Sequence, residues 1–79
     1  MTPTVGRIVH YVLPDGTYPG EHRPAIIVRT WSPTTVQLQV FVDGTNDYDD
    51  YTGTRWATSV SQDEETKAPG TWHWPERDA

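Results

Sequence analysis

Apolar and polar positions alternate most regularly between Val36 and Asp43. Val36, Leu38, Val40 and Val42 fall on one side, and Gln37, Gln39, Phe41 and Asp43 on the other. A period of two is that of a strand with one face against a core. Residues 4–13, rich in β-branched and aromatic side chains and closed by the turn signal Pro14-Asp15-Gly16, predict a first strand. Residues 17–23, with Pro19 and Gly20, read as a loop, and 24–31 as a second strand with Pro24 at its entrance, where a missing N–H does least harm. Ser32-Pro33-Thr34 turns the chain into the third strand. A loop follows over 43–53, then a fourth strand over 55–61, a polar interval over 62–68 suited to at most a short helical turn, and a short fifth strand over 71–74 stopped by Pro75.

Five short strands in one stretch of 79 residues predict an all-β fold, a small five-stranded, strongly bent barrel of the Src-homology-3-like kind. The alternative is an oligonucleotide-binding-type barrel, which usually needs a longer chain and a helix before its fourth strand. No repeat or shift of composition divides the chain, so 1–79 is expected to be one domain, with 76–79 a frayed tail. Alternation also sorts side chains by face. Ile8, His10 and Val12 share one face of the first strand, and Arg7, Val9, Tyr11 and Leu13 the other. In the fifth strand Trp72 and Trp74 share a face opposite Thr71 and His73.

Composition narrows what such a barrel can do. Only 34% of residues are hydrophobic while 11% are aromatic, so a few large side chains must fill the core. A domain of this size buries only about 60% of the surface its unfolded chain exposes. With no cysteine there is no disulfide, thiolate metal site or cysteine nucleophile, and association into a homo-oligomer is the expected remedy. A net charge of −5 argues against duplex nucleic acid as a partner while leaving room for a small anionic ligand in a local basic pocket. No apolar run approaches the roughly 20 residues of a membrane span, and the N-terminus lacks a signal-peptide profile, so a soluble intracellular protein is expected.

Four segments are familiar together: Val5-Gly6-Arg7-Ile8-Val9-His10-Tyr11, His22-Arg23-Pro24-Ala25-Ile26-Ile27-Val28, Leu38-Gln39-Val40-Phe41 with Asp43-Gly44, and Pro69-Gly70-Thr71-Trp72-His73-Trp74-Pro75-Glu76. The chain resembles a family of small proteins of tailed bacteriophages. That resemblance implies a viral origin and a setting in the host bacterial cytoplasm or the virion, and no particular chemistry.

Enzymatic motifs are missing: there is no Gly-x-Ser-x-Gly elbow, phosphate-cradling glycine loop or His-Glu-x-x-His pair. A triad from Ser59 or Ser61, His73 and Asp63 can be written down, as it can for most β domains with histidines, so no catalytic residue is expected. No metal site or cofactor is expected either. His10, His22 and His73 are far apart with no ligand spacing between any pair, and Asp43, Asp47, Asp49 and Asp50 lack the order of a calcium loop. Arg23 suits either a ligand carboxylate or phosphate, or a salt bridge to Glu21 or the acidic loop. His10 is either a core-edge histidine or a ligand contact.

Four indoles are more than one small core holds, so some are expected on the surface or in an interface. The expected function is therefore binding without catalysis. A small nucleotide-like ligand, such as a host immune signal, would be held by His10, Tyr11, Arg23, Asn46, Asp47, Trp56, Trp72, His73 and Trp74 through stacking and hydrogen bonds. The alternative is a virion or head-tail accessory protein that uses its aromatic surface as a protein interface.

Overall fold

The computed structural model describes residues 1–76. It is all-β, with β1 (Ile8–Val12), β2 (His22–Thr30), β3 (Thr35–Phe41), β4 (Thr54–Ser61) and β5 (Trp72–His73) in one antiparallel sheet of order β4-β3-β2-β1-β5. This is the strongly bent, five-stranded arrangement expected. β1 to β4 form a meander, β5 returns beside β1, and a bridge between Gln62 and Trp72 brings the end of β4 toward the far edge of β5. Register shifts between Ile27 and Arg29 and between Val36 and Leu38 put bulges where the strands must curl. Inside lie Val9, Ala25, Ile27, Val36, Leu38, Val40, Ala57, Val60 and Trp72, with Tyr11, Val42 and Trp74 packed against them.

Element bounds differ from the expected ones where backbone bonding overrides propensity. The first strand is shorter at its start because a turn (Arg7 N–H to Thr4 O, 3.2 Å) precedes it, with Gly6 at φ +92°. β2 begins at His22, so Pro24 lies within it. That is tolerated because the ladder to β3 starts only at Ala25. Residues 62–68 form no helix. Instead the Asp63 carboxylate accepts from the N–H groups of Thr66 and Ala68. Of the expected frayed tail 76–79, Glu76 is held against three histidines, and 77–79 lie outside the described residues.

Gln37 breaks the alternation of β3. It was expected on the polar side, yet it is buried at the bulge, where its Oε1 accepts from Trp31 Nε1 (2.9 Å), Thr58 Oγ1 (2.8 Å) and the Ser59 N–H. Ser59 sits at φ +52°, a conformation that one side-chain oxygen helps to hold. Replacing Gln37 by Leu should cost about 1–3 kcal/mol in urea unfolding, because three donors lose their acceptor. An unchanged midpoint would show the network to be incidental.

Candidate metal centre

Strand order decides which ionisable groups meet. β1 lies between β2 and β5, and each of the three carries one histidine toward the outer face of the sheet. His10 is directly opposite His73 across the β1–β5 pair, and His22 is opposite Val12, the next residue on the same face of β1 as His10. The imidazole centroids are 6.3 Å (His10–His22), 5.6 Å (His10–His73) and 4.6 Å (His22–His73) apart. Pro75 ends β5, and the chain turns so that the carboxylate of Glu76 closes the group. Its Oε1 lies 3.2 Å from His22 Nδ1 and 2.5 Å from His73 Nε2, and its Oε2 lies 4.0 Å from His10 Nδ1.

One donor atom from each of these four residues falls within 4.8 Å of every other. Ligands about 2.0–2.2 Å from a tetrahedral zinc ion are about 3.3–3.6 Å from one another, so small side-chain shifts would centre four donors on one ion. Hydrogen bonding does not explain the cluster. His73 is wholly buried, yet neither of its ring nitrogens has a hydrogen-bond partner among the described residues, and His10 Nδ1 is likewise unpaired. Glu76 approaches His73 Nε2 as an ion-pair partner. Leaving buried polar nitrogens unpaired costs about 1–3 kcal/mol each, a cost that coordination removes.

Electrostatics favour the same state. Burial pushes the His73 imidazolium toward deprotonation, with the Glu76 charge opposing it and the other histidines reinforcing it, so the pKa is lowered. Neutral imidazole is the metal-binding form. Burial works to raise the Glu76 carboxyl, but attraction to His73, His22 and His10 wins, and it stays ionised below its ordinary value. Three imidazoles and one carboxylate form a borderline N3O set suited to zinc and its neighbours rather than to calcium or magnesium. Glu76 is half-exposed, so an ion can enter from solvent.

The structure scatters the other residues expected to form a ligand site. Tyr11 faces away from His10, toward the barrel interior. Arg23 and Asp47 are committed to each other: Arg23 Nε and Nη2 donate to the two Asp47 oxygens at 2.8 and 2.7 Å. The Asn46 amide donates to Asp43. Trp72 is fully buried with Nε1 donating to Thr34 O at 3.0 Å, leaving no indole face open to a ligand. Trp74 packs edge-on to it, 5.4 Å away, with Arg7 over its ring. Trp31 and Trp56 are the exposed indoles. The acidic loop is spent on its own turns: Asp43 accepts from the Thr45 and Asn46 N–H groups, and Asp50 from Thr52 and Arg55.

Sequence reasoning included His10 and His73 but missed His22 and Glu76 as their companions. The signal that would have found them is the strand pairing itself. Placing β1 between β2 and β5 brings one histidine from each strand to the same face, whatever their separation along the chain. Comparison with protein-family models, with curated proteins and with solved structures found no match for this chain, so the chemistry of these four donors carries the functional reading.

Proposed function

We propose that this protein is a metal-binding β-barrel that holds one divalent transition-metal ion, zinc by its donor set, on His10, His22, His73 and Glu76. The observation that carries this reading is the convergence of four ligand-type side chains from three strands and the segment after β5, with the nitrogens of a fully buried histidine left unpaired. All four donors lie on one chain, so a second subunit is not required. They also lie in three of the four segments that suggest a tailed-phage origin, which is the setting we propose for the activity. Sequestration of a nucleotide-like signal by Arg23, Asn46 and Asp47 has less support, since those groups satisfy one another or their own loop.

The test is metal titration of the demetallated full chain, with cobalt(II) as a spectroscopic probe and calorimetry for zinc. We expect one equivalent, the visible bands of tetrahedral cobalt, and an added stability of about 2.7 kcal/mol when free metal is 100 times its dissociation constant. Substituting half-exposed His22 by Ala should weaken binding by more than the roughly 10–100-fold typical of outer-shell changes, because a ligand itself is lost. Binding that is absent at micromolar concentration, or that survives the His10→Ala, His22→Ala double variant, would overturn the reading.

A further inference from the structure

We propose that the outer face of the sheet is an interface with a second copy of this chain, forming a two-fold dimer that does not depend on the metal centre. Register defines the face. Ile8, Ile26, Gln39 and Trp56 stand opposite one another across β1, β2, β3 and β4, on the side away from the core. The next row carries Pro24, opposite His10, and Phe41, opposite Thr54. Pro24 is two residues from Ile26 and Phe41 two from Gln39, so the rows are contiguous. At the other end Trp31 lays its indole against the same face, donating from Nε1 to Gln37, two residues from Gln39.

An antiparallel sheet with one face on a core ordinarily turns polar side chains outward. Here Ile8 is 57% exposed, Phe41 42% and Trp56 56%, and Trp31 is exposed as well. An aromatic side chain carries about 150–250 Å2, so each half-exposed ring leaves about 100 Å2 in solvent. With Pro24, Ile26 and Gln39 between them, the rows present roughly 600–800 Å2 of mostly apolar surface, against the about 800 Å2 per partner of a specific complex. The face is therefore large enough to hold a dimer by itself. Sheets packed face to face lie about 10 Å apart with their side chains interdigitated, a spacing that large rings fill.

Charge selects a second copy as the occupant. Among the described residues no strand holds an Asp or Glu; the carboxylates lie in the connecting segments and after β5. Two chains of net charge −5 repel one another. Packing these faces brings them together with no carboxylate in either contact row, whereas an acidic or basic partner finds no counter-charge there. A two-fold axis sets the same patch against itself, which an uncharged apolar face satisfies without pairing like charges. The contact also supplies apolar burial that a cysteine-free domain of this size lacks.

The test is sedimentation equilibrium of the full chain in the presence of a chelator. We expect a species of twice the 9.0 kDa chain mass at low micromolar concentration, and a urea midpoint that rises with protein concentration. Ile8→Glu with Trp56→Glu places like charges in the contact and should weaken association about 30-fold or more. Tyr51→Glu, in the exposed β3–β4 loop, should leave it intact. Circular dichroism checks that the double variant is folded, and the milder Ile8→Thr should weaken association by a smaller factor in a chain of parental fold. A chain that stays monomeric at millimolar concentration, even if it captures another protein or a lipid surface, would overturn the proposal. So would a dimer that the double variant retains, or one that forms only when zinc is added. His22→Ala protein should dimerise like the parent, so failure of this interface and failure of the metal centre are told apart.

Discussion

Trp72→Ala should lower the stability of the domain by about 3–5 kcal/mol, the usual cost of truncating a buried aromatic side chain to alanine. A 79-residue domain has about 4–12 kcal/mol in total, so this one change should leave much of the population unfolded at moderate urea. The size of the effect follows from position. Trp72 is fully buried at the seam where β5 meets β1 and the end of β4, its ring meets Trp74 edge-on, and its backbone carbonyl accepts from the Asp63 N–H at 2.9 Å. β5 has only two residues, so beyond its backbone bonds to β1 and Asp63 this indole is its chief apolar anchor. Trp72→Phe should cost less: a ring still fills the space, and Thr34 O keeps its bond from the Gln62 N–H. Because His73 rides on the same strand, Trp72→Ala should also weaken metal binding. An Ala variant within about 0.5 kcal/mol of the parent in urea denaturation would mean that Trp72 is not part of the core.

Asp47→Asn should cost about 3–5 kcal/mol at neutral pH, the cost of breaking a buried ion pair from one side. Asp47 is wholly buried, and besides both Arg23 bonds it accepts from the Asp43 N–H at 2.7 Å, so it ties the start of β2 to the β3–β4 loop. Nearby, Gly16 at φ +84° lets the β1–β2 turn approach within what would be 2.5 Å of a Cβ from Asp47 O. An Asn would leave the guanidinium with only the exposed Glu21 carboxylate, 3.0 Å from its Nη2, as counter-charge. Replacing both partners, as Arg23→Met with Asp47→Leu, should recover part of the loss.

The same pair makes a pH prediction of definite sign. Hydrogen bonds from Arg23 hold the Asp47 carboxyl below its ordinary range despite burial, and that pairing also raises the Arg23 pKa. In the unfolded chain Asp47 returns to about 3.9, so on acidification the unfolded state takes up this proton first. The stabilisation is therefore complete above about pH 5, and it is lost as pH falls through the unfolded value toward the folded one. Asp43, Asp50 and Asp63 are depressed by their own hydrogen bonds and add to the same acid limb. Urea midpoints at pH 7 and pH 3 should show the gap between parent and Asp47→Asn narrowing in acid. A gap that is constant with pH would mean that Asp47 is not stabilised as an anion.

Local pattern carried the strands but not their partners. Alternation located the core side of β3 at Val36, Leu38 and Val40, and it separated Trp72 from His73 correctly because a strand cannot turn both neighbours inward. It misplaced Gln37, whose burial depends on a bulge and on Trp31, Thr58 and Ser59, none of them readable from β3 alone. For Arg23 it left two readings open, and the choice between them rests on a loop 24 residues away that folds Asp47 inward.

The four-donor cluster shows the division most clearly. By itself the sequence determined that this is a β protein without thiols, that His10 faces away from Tyr11 and His73 away from the two indoles, and that a small core must lean on large aromatics. Only the tertiary structure decided that His10, His22, His73 and Glu76 share one point in space. Strand alternation is a local property of the backbone, set within a few residues, whereas strand order and register are set by long-range pairing and by burial of the whole core. Ligands drawn from three neighbouring strands become neighbours only once that pairing is complete.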